Sequence, residues 1–559
     1  MFNLLGNINY SIKKKYSRID ITEIKEGLNC LDDYIILKKN NQFDAYDRLC
    51  NHQGGKIISK ENSHICPLHG WKFFPETGKY ENNISKQKKK YVIKDNKIIL
   101  ENFKYVPKIT KINDVDKNLS IRFFNHAFLQ VTHKNFSFAT DPWAIGPAFN
   151  TGWWLKYKTK SDWLEKLNKC SFIYLSHNHP DHLHPLTLSK VNKDIPIVVP
   201  NFKTDSTGIY AETLGFKNVI RLDFNKEYRY LNSNLVLSIL KSGDFREDSG
   251  IYFSAGKFEG LFDVDSNMIN FLKLPKVTLF ASSFAGGASG YPMMFENYHK
   301  DEKLKIIHRN RKFLATRKKI ILKQIKPRYY MPYASFFEEK LNRDKNVKKI
   351  NKKISINDYS DICKKIKTEL LNVIENDEYI FKSDICIKKN NIKKEFSNDL
   401  KKEQYLNFYK KNYSKVDEEY IKDYFLKSQF NDNLLLYISL SDDNFKKIYA
   451  NFLIDFSMKE ISFKKIAEIN NEKLKLLNGK RKLYINCRKE SFLDTIYNKQ
   501  PWEDLLIGFQ SKITRFPNIY NLKFWYHFTN IYITKKNVRS FTECQNCEKI
   551  SQYFDKLIT

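Results

Sequence analysis

Residues 171–185 read SFIYLSHNHPDHLHP, an apolar run that breaks into a histidine-rich loop. The run has the length and β-branched, aromatic character of a buried strand. The loop carries His-x-His-x-Asp-His, namely His177, His179, Asp181 and His182. Two imidazoles spaced by two residues can converge on one metal ion, and the Asp-His pair can bind or adjoin a second. Four of the chain's twelve histidines fall between 177 and 184, a density that a random polar turn would rarely show.

The remaining ligands of such a centre must come from other strand ends. Asp265 in GLFDVDSN follows an apolar run and suits a bridging carboxylate, with Asp263 as the neighbour that could replace it. Asp141 in FATDPW and His126 in FFNHAF also end strands, as ligands or as groups that hold ligands. The metallo-β-lactamase fold uses this arrangement at the end of a strand. Over 117–340 apolar strands alternate with candidate helices (DWLEKLNK, PLTLSKVN and a long one over LKIIHRNRKFLATRKKIILKQI), so a layered αββα domain of that kind is expected. A usual member adds a later histidine, but none occurs between 185 and 298, and KSGDFREDSG supplies only Asp244, Glu247 and Asp248. An oxygen-rich mixed ligand set suits iron at least as well as zinc.

Upstream lies a second metal pattern, Cys50-x-His52, thirteen residues, then Cys66-x-x-His69. Two thiolates can hold one iron and two neutral imidazoles the other, which defines a Rieske 2Fe–2S cluster. The flanking sequence is strand and turn, without the helix that a Cys2His2 zinc site requires. Residues 1–108 alternate short strands with turns (DYIILKK, QFDAYDR, KKYVIKD, KIILEN) and read as a small antiparallel β Rieske domain. Residues 345–559 are Lys-rich and mixed, mostly helical with some strands such as LLLYISL and KLYINCR, and NVKKINKKISIND (346–358) reads as a linker. The fold class is therefore multidomain α+β, in three parts.

The chain has 559 residues, 42% hydrophobic and 15% aromatic, enough to build real cores in all three parts. Its formal charge of +33 is spread along the chain, so it names no partner by itself. The nine cysteines are odd in number and scattered, which argues against a secreted disulfide framework. There is no signal-like N-terminus and no run near the ~18 apolar residues of a membrane span. A cytoplasmic protein is expected.

The two metal patterns constrain each other. A Rieske cluster moves single electrons, and a hydrolase needs none. The pair therefore points to an oxygenase with one or two non-haem irons in the second domain. The alternative is a metallo-β-lactamase-fold hydrolase, phosphodiesterase- or nuclease-like, with a sensing or structural cluster.

Longer segments carry a resemblance. CNHQGG (50–55), CPLHGWK (66–72), DPWAIGPAFNTGWWL (141–155), IYLSHNHPDHL (173–183), FAGGASGYPMMF (284–295), KPRYYMPYASFF (326–337) and LLIGFQSKITRFPNIYNLKFWYHF (505–528) make the chain similar to the CMP-N-acetylneuraminate hydroxylase family. The match spans nearly the whole chain and is loose from about 345 to 490. It implies hydroxylation of the N-acetyl group of a CMP-sialic-acid-like nucleotide sugar to N-glycolyl, with dioxygen and an acidic electron donor. That donor would be a small b-type cytochrome or a ferredoxin, with its reductase; nucleic acid is not an expected partner. The chain departs from animal members at Phe245, where they place a histidine. Trp153 and Trp154 are candidates to stack on a base or sugar, and Gly286, Gly287 and Gly290 to bring amides to an anion. Arg328 and Arg515 are candidates to pair with anionic groups. Cys544 and Cys547 read as incidental.

Overall fold

The computed structural model describes residues 1–559 except 52–54, 61–62, 67–69, 114–117, 244–245, 267–271, 383–384, 391–394, 469–478 and 532–559. The runs that are apolar on both faces are covered on both faces. Val219–Leu222, Ile197–Pro200, Phe172–Tyr174 and Phe136–Thr140 form the parallel half of an eight-stranded sheet. That sheet continues antiparallel through Phe128–His133, Asn118–Asn125, Glu378–Lys382 and Ile385–Lys389. Parallel strands need helical crossovers, and the short helices Trp163–Asn168, Pro185–Ser189 and Ser206–Thr213 supply them. Leu167, Leu188 and Ala211 pack there against Ile173, Leu175, Ile197 and Val199.

A second eight-stranded sheet faces the first. Its order runs Phe2–Asn7, Lys226–Tyr230, Leu235–Lys241, Ser249–Ala255, Phe258–Val264, Leu279–Ser282, Tyr329–Pro332 and Glu369–Leu370. Phe138 joins the layers: it stacks on Phe172 at 5.1 Å within its own sheet and meets Phe253 of the other edge-on at 5.4 Å. The long helix Lys300–Ile325 adds Ile321, Leu322 and Ile325 to the same core. Helices and two facing sheets make the αββα, metallo-β-lactamase-like layering.

Two exchanges cross the expected boundaries. Phe2–Asn7, placed in the first domain by position, pairs with Lys226–Tyr230 of the second sheet. The strands Glu378–Lys382 and Ile385–Lys389, placed in the C-terminal region, complete the first sheet. Both edges expose unpaired backbone groups without a neighbour, and the distant strands satisfy them. The expected linker at 346–358 is instead docked, with Val347, Ile354 and Ile356 buried. Lys348, Lys349 and Lys352 stay outside, Lys353 pairs with the buried Glu339, and the apolar residues reach the core.

The antiparallel β domain near the N-terminus holds two small sheets, Gly27–Cys30 with Tyr34–Lys39 and Gln42–Asp47, and Ile58–Lys60 through Lys79–Tyr80. The twelve-residue strands Asn9–Asp20 and Lys97–Lys108 pair along their whole length and lead to the central layers. The C-terminal region mixes helices with a five-stranded sheet whose edge strand is Ser511–Phe516. Its core takes in Trp143, Phe149, Trp153, Phe295 and Phe337 from the central layers, so the two share one apolar interior.

Lys86 staples the first cysteine loop. Its ammonium, buried, donates to Asp47 Oδ1 (2.9 Å), Leu49 O (2.5 Å) and Asn51 Oδ1 (3.2 Å), bracketing Cys50. Burial alone would raise the Asp47 carboxyl, but Lys86 and Lys89 outweigh it and hold it at about 2. A lowered carboxylate stabilises the fold above its ordinary pKa of ~3.9 and loses that contribution as pH falls toward the folded value. Lys86→Met should therefore cost about 2 kcal/mol at pH 6 in urea unfolding. The difference from wild type should shrink between about pH 4 and 2.

Candidate metal centre and cavity

The central motif sits where the strand Phe172–Tyr174 leaves the sheet at its carboxyl end, the usual place for a site in parallel sheets. Leu175 and Leu183, both fully buried, pin the two ends of the loop. Between them the His182 and Leu183 amides donate to His179 O at 2.9 and 2.8 Å, closing the turn. His184 takes no part in the centre. Its Nδ1 caps the helix Pro185–Ser189 by accepting from Thr187 N (3.1 Å), and its Nε2 donates to Pro147 O (3.1 Å). Burial lowers its pKa to about 4, so it stays the neutral ring that this pattern requires.

The other donors converge. His177 Nε2 and His179 Nδ1 lie 2.9 Å apart. His182 Nε2 lies 3.4 Å from Asp181 Oδ2 and 3.4 Å from Asp265 Oδ2. His126 Nε2 lies 3.1 Å from Asp181 Oδ2. Two overlapping groups result, His126 with Asp181 and His182, and His177 with His182 and Asp265, each with ligand atoms within 4.8 Å of one another. His182 Nε2 and Asp181 Oδ1 are buried without a hydrogen-bond partner among the described residues. A buried donor atom left unmatched in a ring of carboxylates fits a cation.

A second layer orients the rings. Asp141 accepts from Ser176 N (2.8 Å), Ser176 Oγ (2.7 Å) and His182 Nδ1 (3.1 Å). It therefore stands behind His182 as a holder of the ring and not beside the other ligand atoms. His177 Nδ1 faces Ser176 Oγ at 2.9 Å and Asp248 Oδ1 at 3.6 Å. His179 Nε2 faces Glu503 Oε1 at 3.2 Å. Fixing one nitrogen of each ring turns the other toward the centre, the arrangement that metal-bound histidines use. The backbone here is strained: His126, Asp141 and Val264 have φ of 39°, 41° and 51°. Left-handed backbone at a β-branched valine is a marked outlier, and such strain gathers at functional sites.

The electrostatics favour positive charge. Burial alone would lower His182, but Asp181, then Asp141 and Asp265, hold it well above the usual imidazole range. Burial would lower His179 too, yet Glu503 raises it to about 9. His177 goes the other way, driven well down by burial and by its two histidine neighbours. Asp263 is not the equivalent of Asp265. It turns into the core beside Lys318 (3.5 Å), and burial raises it to about 7. Of the other oxygen donors, Glu247 accepts from Thr204 and Ser206, while Asp244 and Phe245 lie outside the described residues.

Cys50 and Cys66 are both buried, each on a loop closed by its own backbone. Cys50 N donates to Gly55 O (2.8 Å), Cys66 N to Trp71 O (2.8 Å) and Gly70 N to Cys66 O (3.0 Å). His52 and His69 lie outside the described residues, as do Cys544 and Cys547. Two buried thiols in one small core, on loops of this kind, fit the cluster.

A cavity of about 430 Å3 opens over the centre. Its walls include His177, His179, Asp181 and Asp265, Trp71 of the β domain, and Glu503 and Arg515 of the C-terminal region. Trp153 lines it, stacked on Phe337 at 3.5 Å, as do Gly286 and Gly287. Gly287 has φ of +79°, and a Cβ there would lie 2.8 Å from Asn351 Oδ1, so the docked 346–358 segment supports this wall. Two candidates fall elsewhere. Trp154 packs on Tyr405 and Leu341 in a separate small core. Arg328 is exposed and lies over Tyr329, outside the cavity lining. Glu503 was invisible beforehand, because nothing local marks an acidic residue in a helix more than 300 positions away.

Comparison with known proteins adds identity to this geometry. Residues 15–103 match the Rieske 2Fe-2S domain family. The cytidine monophosphate-N-acetylneuraminic acid hydroxylase of Macaca mulatta is 30% identical over 591 residues, covering 96% of this chain and 97% of that one. The protein of the same name from Xenopus laevis is 29% identical, covering 91% and 92%. Among solved structures, CmlA, a diiron beta-hydroxylase from Streptomyces venezuelae, aligns at 15% identity and a TM-score of 0.32, covering 50% of this chain and 55% of that one.

Asp141→Ala should lower the divalent-metal affinity of the centre about 10–100-fold, measured by chelator competition, while the visible absorption of the cluster is unchanged. His184→Ala should leave the metal in place and cost about 1 kcal/mol of stability through the lost cap.

Proposed function

This chain belongs to the cytidine monophosphate-N-acetylneuraminic acid hydroxylase family, and on that premise we propose that it hydroxylates the N-acetyl methyl of a CMP-sialic acid to the N-glycolyl form. One oxygen atom of dioxygen enters the C–H bond. The other leaves as water, taking up two electrons and two protons. The observation that carries this reading is the shared cavity. Trp71, two residues after His69, and the donors His177, His179, Asp181 and Asp265 line the same space. A hydrolase would have no use for that proximity.

The residues supply distinct parts. Bound groups would comprise a 2Fe–2S cluster on Cys50, His52, Cys66 and His69, relaying single electrons, and non-haem iron on His126, His177, His179, Asp181, His182 and Asp265, activating dioxygen. Asp141, Asp248 and Glu503 hold the imidazoles in the tautomer that faces the centre. Phe149, Trp153 and Phe337 wall the cavity with apolar surface and exclude water from the reacting carbon. Gly286 and Gly287 let backbone approach the substrate closely.

The electron donor is an acidic protein, a b-type cytochrome or a ferredoxin with its reductase, for which the charge of +33 favours docking. A cytoplasmic setting is supported by the described cysteines, none of which forms a disulfide with another. Among the described residues no helix is long and apolar enough to cross a membrane.

Iron-loaded protein given CMP-N-acetylneuraminate, a mediated reductant and isotopically labelled dioxygen should place one labelled oxygen in the acyl group, read by mass spectrometry. His182→Ala and Cys66→Ala should each reduce incorporation at least about a hundredfold. Absence of label with both metal centres intact and reducible would overturn the substrate.

A further inference from the structure

Arg515 occupies a position where the strand pattern asks for an apolar side chain. In Ser511–Phe516 every second residue is buried, and Arg515 falls on the buried face with Ile513. It is 4% exposed. Its backbone is clamped on both sides by one residue: its N–H donates to Asn297 Oδ1 (2.9 Å), and its carbonyl accepts from Asn297 Nδ2 (2.9 Å). The side chain is held as firmly. Nε donates to Asn518 Oδ1 (3.0 Å), and the guanidinium lies 4.7 Å over the Phe295 ring.

What this arginine lacks is an anion in contact: the Glu81 carboxylate feels its charge but forms no ion pair with it. The other deeply buried arginine of the same sheet, Arg488, pairs with Asp344 at 2.9 Å, and Arg343 beside it pairs with Asp443. Arg515 forms no ion pair among the described residues, and its two terminal nitrogens meet no acceptor there. The residue lines the cavity wall instead, and its charge acts on two other lining residues, Tyr291 and Tyr520. Tyr520 in turn packs near Trp71, ring centroids 6.4 Å apart. Burying a guanidinium without a counter-charge is unfavourable, so a rigidly held one is retained where an anion arrives to meet it. Its fork matches two oxygens of one phosphate or carboxylate.

We propose that Arg515 is the specificity-determining anchor of the substrate, taking two oxygens of one oxyanion of the nucleotide sugar in paired N–H···O bonds. This rests on the reading of the cavity as a CMP-sialic acid site. Such a substrate brings two candidate oxyanions, the phosphodiester and the sugar carboxylate. Both present the geometry that the fork accepts.

Binding tests this without turnover. Calorimetry on oxidised, cluster- and iron-loaded protein would compare wild type, Arg515→Lys and Arg515→Met against four probes: CMP-N-acetylneuraminate, CMP, free N-acetylneuraminate and cytidine. Arg515→Met should weaken CMP-N-acetylneuraminate about 30-fold or more, and Arg515→Lys about tenfold, since it keeps the charge without the fork. Cytidine should be unaffected. Whichever of CMP and free N-acetylneuraminate loses affinity identifies the oxyanion. Thermal unfolding and the cluster spectrum check the variants; if Arg515→Met does not fold, the Lys variant decides. A folded variant that binds CMP-N-acetylneuraminate within twofold of wild type overturns the proposal. Wild type that ignores CMP-N-acetylneuraminate but binds CMP through Arg515 keeps the oxyanion role and removes the substrate reading. Wild type that binds no probe overturns both.

Discussion

The hydrogen bonds from Ser176 and His182 to Asp141 are the constraint on which the centre depends. Asp141 ends one strand in left-handed backbone, and Ser176 and His182 belong to the loop that follows the next parallel strand. One buried carboxylate thus ties two neighbouring strand ends together and fixes the ring that faces both Asp181 and Asp265. Strand ends in a parallel sheet otherwise diverge with the twist. The αββα layers make the tie possible, because Phe138, Phe172 and Phe253 lock the two sheets beneath it.

The centre is completed from outside those layers. Glu503 begins a C-terminal helix and reaches His179. Leu522, in the next helix, packs into the core that contains Cys50, Cys66 and Trp71. The C-terminal region therefore touches the cysteine loops and the histidine loop at once. The cavity lies at this three-way junction, where large apolar side chains hold the bodies in register and leave polar groups facing inward. Trp153 and Phe337, stacked in the wall, belong to the same apolar core as Trp502 and Phe528. A change in that core would be felt at the cavity.

Much of the site was legible because metal chemistry demands particular side chains at close spacing. His177, His179, Asp181 and His182 sit within six residues and converge as their spacing implies. Asp265 and His126 were found as polar residues ending apolar runs, and both reach the centre. The same argument located Asp141 but not its orientation. Trp154 and Arg328 show the limit. Next to Trp153, Trp154 must point to the other face of its strand, because side chains alternate. Arg328 immediately precedes the strand Tyr329–Pro332, at the end of the sheet away from the loops.

The sequence by itself determined the local matters: the buried parallel strands, the two metal-ligand patterns, the long helix at 300–325 and the family resemblance. These follow from contacts between near neighbours, which leave a period or a spacing in the chain. Only the tertiary structure decided which distant groups meet. It brought Phe2–Asn7, Glu378–Lys382 and Ile385–Lys389 to sheet edges, folded the 346–358 segment into a cavity wall, set Glu503 against His179 and left Arg515 in the cavity wall with no ion pair among the described residues. Those outcomes depend on burial and on the matching of hydrogen-bond groups across hundreds of residues. A single buried arginine or glutamate carries no mark in sequence of the partner that it will meet.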